Sequence, residues 1–377
     1  MKFINLVALS WAISGLFSSP LMAQQQTCLT QLEDQALMMK SKREGLFREP
    51  LPGSHSTFSY NIEQAFSDYL TAAYLQISSE NPRANLPCPV YTDTYQQLVA
   101  QGARPANATV ADLISPFELK HANSRKAVLL IHGLTDSPFT YHDLAQVYYQ
   151  QGYTVRTILL PGHGTAPAAL RDIDADDWQK ASVYAIERTL KDFDQVILGG
   201  YSTGAALVID YLTQGPVDNK ITAAMLFSPA SEPHNKNGWL AKWVDAIPFV
   251  NWIDKDADLD FAKYESFPFS AASASHEAMS RISLDELRHR QLPNVAIFST
   301  FSDIDTTIDN QATFKILTKL HDPKTRKNNQ LDRLVYYGDD KNIPASFPAD
   351  YQIIRDDCDT DDCKKIKGMS HIGIVNK

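Results

Sequence analysis

The chain has 377 residues, of which 44% are hydrophobic and 21% charged, with a formal net charge of −9. Such a composition excludes a disordered or fibrous chain, and the length fits one large domain or two ordinary ones. The acidic balance argues against nucleic acid as a partner, because phosphate binding needs clustered cations and the Lys/Arg runs here are short, as in Lys40-Ser41-Lys42-Arg43.

Residues 1–23 read as a secretory signal. Lys2 supplies the positive start, Phe3 to Phe17 the apolar stretch, and Pro20-Leu21-Met22-Ala23 a small residue at the cut. Ser10, Ser14, Ser18 and Ser19 dilute the run below the roughly 20 apolar residues that a membrane span requires. The expectation is therefore a periplasmic or secreted protein with no integral span once the signal is removed. Cys28 follows Gln26-Thr27 rather than a small-residue pair, which speaks against a lipid anchor.

Export gives meaning to the four cysteines, Cys28, Cys88, Cys358 and Cys363, since an even number in an oxidising compartment favours disulfides. Three pairings are possible. Cys28–Cys88 with Cys358–Cys363 is preferred, because each pair then lies within one region. Zinc at Cys358–Cys363 lacks further ligands at suitable spacing. The crowded Asp356, Asp357, Asp359, Asp361 and Asp362 lack the calcium-loop pattern and read as a solvated acidic loop. No metal and no cofactor is expected.

Residues 24–122 form a mainly helical N-terminal extension. Gln31–Met39 and Ile62–Ile77 have helical spacing, the second with Ala65, Tyr69, Leu70 and Ala73 on one side. Pro50, Pro52, Pro82, Pro87 and Pro89 divide the region.

From about residue 123 short apolar runs recur at Ala127–Ile131, Tyr153–Leu160, Gln195–Leu198, Ala223–Phe227, Val295–Phe301 and Leu334–Tyr337. Helical stretches at Thr140–Gln151, Asp176–Phe193 and Gly204–Gln214 separate several of them. This alternation predicts an α/β protein with a mostly parallel sheet flanked by helices, whose ligands bind at the C-terminal ends of the strands. Residues 231–292 interrupt the alternation and carry Trp239, Trp243, Phe249, Trp252, Phe261, Tyr264, Phe267 and Phe269. They read as a helical cap over an apolar substrate pocket, or as helices buried against the core. The core is then divided into residues 123–230 and 293–377.

Gly200-Tyr201-Ser202-Thr203-Gly204 fits G-x-S-x-G between a strand and a helix, where a sharp turn exposes the serine and bulkier neighbours would collide. Ser202 is the candidate nucleophile. A serine hydroxyl needs a base to take its proton. His371, after the last candidate strand, is chosen over His321 in a helical stretch and over His276 and His289 in the cap. An orienting carboxylate is available at Asp303 or Asp305, both just beyond the strand Val295–Phe301. The order Ser, Asp, His is that of α/β-hydrolases. Oxyanion donors are the N–H of Thr203 and of Leu134, the latter after Leu130-Ile131-His132-Gly133, where His132 braces the loop.

These segments resemble α/β-hydrolases close to bacterial monoacylglycerol lipases and carboxylesterases. Val128-Leu129-Leu130-Ile131-His132-Gly133-Leu134-Thr135-Asp136-Ser137-Pro138 is similar to their oxyanion segment, Leu160-Pro161-Gly162-His163-Gly164-Thr165 to their P-G-H-G-T, and Asp177-Trp178 to their D-W pair. The resemblance covers roughly residues 116–377. It implies the α/β-hydrolase fold, Ser202, Asp305 and His371 as a catalytic triad with Leu134 and Thr203 as oxyanion donors, and a small apolar ester or lipid-like substrate. Asp305-Thr306-Thr307-Ile308 fits the family's acid position better than Asp303 does. An amide-cleaving serine aminopeptidase is the alternative, since Asp254, Asp256, Asp258 and Asp260 in the cap offer carboxylates for a free amino group. A catalytically silent binding protein is the other, though it has no need of an intact Ser, Asp and His set.

Overall fold

The computed structural model describes residues 26–53, 58–234, 251–322, 324, 326–327, 329–354 and 370–371. The signal-like residues 1–23, the cap aromatics Trp239, Trp243 and Phe249, and the pair Cys358 and Cys363 lie outside them.

The extension opens with α1 (Cys28–Glu33) and α2 (Gln35–Glu44). The single helix predicted over Gln31–Met39 is broken at Asp34, whose backbone is extended and whose carboxylate accepts the N–H of Leu37 to cap α2. Then come α3 (Phe66–Glu80), α4 (Asp93–Ala100) and α5 (Val110–Ile114). Helix α3 buries Phe66, Tyr69, Ala73 and Ile77, a three-four-four spacing that lays one stripe against the core. Cys28 and Cys88 are joined in a disulfide that ties α1 to the chain entering α4.

The core follows as β1 (Glu118–Leu119), β2 (Lys126–Ile131), α6 (His142–Gln150), β3 (Thr154–Ile158), α7 (Ala175–Asp192), β4 (Gln195–Tyr201), α8 (Thr203–Thr213) and β5 (Ile221–Phe227). After β5 the described chain forms a hairpin of β6 (Trp252–Asp254) and β7 (Phe267–Pro268), then α9 (Phe269–Arg281) and α10 (Leu284–Leu287). It returns as β8 (Ala296–Ser302), α11 (Asn310–Leu320), β9 (Arg333–Tyr337) and β10 (Gln352–Ile354). Among the described residues, eight strands form one sheet in the order β1-β3-β2-β4-β5-β8-β9-β10. All neighbours are parallel except β1, which runs antiparallel to β3. This is the mostly parallel, helix-flanked sheet that the alternating apolar runs predict.

The central strands carry continuous buried runs because both faces are covered, as Ala127–Ile131 in β2 illustrates. Helix α8 is buried along nearly all its length, between the sheet and the small-residue face of α9 formed by Ser270, Ala271, Ala274, Ser275 and Ala278. The start of α8 is thereby locked at the C-terminal edge of the sheet. No helix among the described residues is long and apolar enough to cross a membrane.

Candidate active site

Strand β4 turns into α8 at Ser202, whose backbone sits at φ 52°, ψ −115°. A residue with a side chain holds this left-handed conformation only where the surroundings over-determine it. Here the Ser202 N–H donates to Phe227 O (2.9 Å), and its carbonyl accepts from Ala205, Ala206 and Ala230. The flanking glycines have no room for anything larger. A Cβ at Gly200 would lie 2.4 Å from the backbone of Gly204, and one at Gly204 only 2.0 Å from the carbonyl oxygen of Ile131.

Three side chains from distant segments meet at this turn. His371 Nε2 is 2.9 Å from Ser202 Oγ, and its Nδ1 is 2.6 Å from Asp305 Oδ2. Nδ1–H donates to the carboxylate, which leaves the Nε2 lone pair facing the serine hydroxyl. Asp305 Oδ1 accepts the N–H groups of Thr307 (2.8 Å) and Ile308 (3.2 Å), so the carboxylate is fixed by the loop that follows β8. Ser202, Asp305 and His371 are 8%, 3% and 9% exposed, dry enough for their interactions to be strong. The ring of His371 packs on Tyr201, with centroids 5.2 Å apart.

Asp303 is turned away from this group, accepting from Tyr336 Oη, Asp339 N and Asn342 Nδ2. Of the other histidines considered, His321 is buried and bonded through Nδ1 to Asp332 (2.8 Å), His276 is half-buried on α9, and His289 is exposed.

Thr203 is the first residue of α8, so its N–H has no partner within the helix and lies at the positive end of the dipole. Gly133 brings the loop carrying Leu134 against the turn. A Cβ there would sit 2.8 Å from the Tyr201 ring and 3.2 Å from Ser202 Cβ. His132 accepts the N–H of Leu160 on Nε2 (3.0 Å) and donates from Nδ1 to Gly133 O (2.8 Å). Burial, together with the neighbouring His163, keeps its pKa well below the usual histidine range. It is a neutral brace between two loops.

His163, within the segment Leu160–Thr165, is a further support of the oxyanion loop. Burial lowers it to about 4, so it is neutral at pH 7, and its Nε2 accepts the N–H of Thr135 at 3.1 Å. Its loop is held by Trp178, whose indole N–H donates to Pro161 O (3.0 Å), while Asp177 completes the cap of α7.

The cap carboxylates are engaged with their own region and with cations of the N-terminal extension. Asp258 accepts from Ser266 Oγ and N and from Glu265 N, and pairs with Arg48. Asp256 pairs with Lys42, Asp260 accepts from Ala262 N, and Asp254 accepts from Lys255 N. Among the described residues, no three His, Cys, Asp or Glu side chains are grouped as a metal site.

Residues 122–319 match the hydrolase family described as serine aminopeptidase, S33. The chain belongs to this family. It is a hydrolase of lipase- and esterase-like α/β type, and the family's description also covers aminopeptidases. A thermostable monoacylglycerol lipase of Bacillus sp. (strain H-257) is 33% identical over 130 residues, or 33% of the chain and 51% of that relative. The chain thus spans about half the length of the curated relative it matches. Among solved structures, a chain reported for the metagenome-derived lipolytic enzymes LipS and LipT is 21% identical, with a TM-score of 0.49, covering 59% of this chain and 87% of that one. A soluble variant of monoglyceride lipase from Saccharomyces cerevisiae is 16% identical, with a TM-score of 0.47, covering 59% and 81%.

Proposed function

We propose that this family member is an exported serine hydrolase that cleaves carboxylic esters, acting through Ser202, His371 and Asp305 by way of an acyl-enzyme. The observation that carries the reading is the hydrogen-bonded run Ser202 Oγ–His371–Asp305, with 2.9 Å and 2.6 Å separations, at a strained strand-to-helix turn. A binding protein would have no use for it.

Ser202 Oγ attacks the ester carbonyl carbon while its proton passes to His371 Nε2, and the resulting oxyanion is met by the N–H groups of Leu134 and Thr203. As the tetrahedral intermediate collapses, His371 returns the proton to the departing alkoxide oxygen, and the alcohol leaves behind an acyl group on Ser202 Oγ. Water then attacks this ester as His371 takes its proton. Collapse of the second intermediate restores the Ser202 hydroxyl and releases the carboxylic acid.

The substrate is a small apolar or lipid-like ester, in keeping with the monoacylglycerol lipase among the relatives. Amide cleavage is the second reading, favoured by the family's description. Against it, Asp256, Asp258 and Asp260 are already paired with cations or bound to the N–H groups of their own loop, so they are poorly placed to receive a free amino group. Comparing p-nitrophenyl esters with aminoacyl-p-nitroanilides tests the assignment. Turnover of the anilides above that of the esters would move it to the aminopeptidases. Export is tested by sequencing the N-terminus of the mature protein, which should begin after Ala23.

A further inference from the structure

Residues 24–121 of the N-terminal extension lie outside the matched residues 122–319, yet their hydrogen bonds lead to the oxyanion loop. Thr135, directly after Leu134, has φ 69°, a left-handed conformation that strains a β-branched residue and must be held from outside. Both of its backbone polar groups are held. Its N–H donates to His163 Nε2 (3.1 Å), and its carbonyl accepts the Tyr264 N–H (2.8 Å). The two holders support each other. Their rings stack at 5.9 Å and 8°, and Tyr264 Oη donates to Gly162 O while accepting from Thr165 N on either side of His163.

Behind this pair stands the turn that ends α3. Asn81, 6% exposed, donates its amide to Gly164 O at 2.8 Å, next to His163. Arg83, 9% exposed, directs its guanidinium to the carbonyls of Leu259 and Asp260 (2.5 and 2.6 Å), in the loop that leads to Tyr264. The Asn81 side-chain oxygen also accepts the Arg83 N–H (2.7 Å), so the two act as one rigid fitting. Ser41 and Arg48 add bonds to Ala257 O and Asp256 O in the same loop. Burial lowers Arg83 only to about 10, with Asp260, Asp258 and Glu265 opposing the fall, so it stays cationic at neutral pH.

We propose that the extension is a working part of the catalytic centre, with Asn81 and Arg83 as positioning residues that set the Leu134 oxyanion donor through His163, Tyr264 and Thr135. This rests on the ester-hydrolase reading. Each arm grips one of the two loops that hold Thr135. Freeing either lets the donor drift, and sub-ångström placement is what an oxyanion hole depends on.

The test uses the full chain with Arg83→Gln, Asn81→Ala and the conservative Arg83→Lys. For p-nitrophenyl butyrate, kcat should fall about 10-fold or more in Arg83→Gln and Asn81→Ala while KM stays within about 3-fold, as expected for an interaction felt only in the transition state. Affinity for a trifluoromethyl ketone, whose hemiketal places an oxyanion in the same hole, should fall in parallel, and Arg83→Lys should recover most of both. Unfolding midpoints monitor the fold, and if Arg83→Gln does not fold, Asn81→Ala alone decides. Wild-type kcat and ketone affinity with only a lowered midpoint would overturn the proposal and leave both residues merely structural. Labelling of wild-type Ser202 by a fluorophosphonate reads the hydrolase assignment separately. An unlabelled wild type overturns both, whereas a labelled wild type with unaffected variants overturns only the positioning role.

Discussion

Replacing Gly204 by Ala tests whether the packing at the start of α8 sets the nucleophile. The added Cβ would sit 2.0 Å from Ile131 O, 2.6 Å from Ile131 C and 2.7 Å from His132 O, all backbone atoms. To reach the 3.0 Å that real Cβ atoms keep, α8 and the end of β2 must separate by about 1 Å. Strand β2 cannot yield cheaply, because β3 and β4 pair with it on both sides and Tyr141 Oη holds the same Ile131 carbonyl. Overpacking that side chains can absorb costs ~1–3 kcal/mol, and a backbone clash belongs at the top of that range. A 1 Å displacement of Ser202 and Thr203 relative to Leu134 should lower kcat/KM on the order of 10²-fold. Steady-state ester hydrolysis and urea unfolding read the two effects. Gly215→Ala is the control, since a Cβ there meets nothing within 4 Å. A Gly204→Ala variant with wild-type activity and stability would show that this packing does not set the nucleophile.

Asp305→Asn should lower kcat on the order of 10⁴-fold by removing the carboxylate that orients His371, whereas Asp303→Asn should leave kcat near wild type and cost stability alone; single-turnover ester hydrolysis separates the two. Burial lifts the Asp136 carboxyl to about 7, with Lys263 opposing and Asp260 adding to the rise. Because its folded pKa lies above the ordinary 3.8, its contribution to stability is complete below that value and is lost as pH rises through 7. At ~1.4 kcal/mol per pK unit the loss is a few kcal/mol. Asp136→Asn should therefore match wild type in urea unfolding near pH 4 and exceed it at pH 8; equal differences at both pH values would contradict this. Cys28→Ser opens a link spanning 60 residues, for which loop entropy sets a loss of up to about 4 kcal/mol, measurable by chemical denaturation.

The sheet was legible because its central strands are buried on both faces, so Ala127–Ile131 and Ala223–Phe227 stand out as unbroken apolar runs. Strands β1 and β10 were not, since two or three residues at a sheet edge carry no periodic signal. The candidate triad was visible as residue types placed after strands, and the family resemblance favours Asp305, but residue type and position after β8 do not by themselves separate Asp303 from Asp305. Both follow β8, and only the loop's own hydrogen bonds send one carboxylate to His371 and the other to Tyr336 and Asn342. The bracing roles of Asn81, Arg83 and Tyr264 leave no mark in the sequence, because their contacts span gaps of more than 80 residues along the chain and follow no local pattern. The aromatic load after β5 fits either a cap over an apolar pocket or elements buried against the core. In the structure Tyr264 stacks on His163, Phe261 packs on Phe139, and Trp252 lies beneath Arg48 and Arg171, so these rings fasten the region to the core and the extension.

Ser202 is read as a nucleophile activated by His371. Mass-spectrometric mapping of the full chain after reaction with a fluorophosphonate tests it most directly. A single adduct on the peptide containing Ser202, absent from the Ser202→Ala variant and strongly slowed in His371→Gln, is the predicted result. Labelling at another residue, or equal labelling with His371 replaced, would contradict the account.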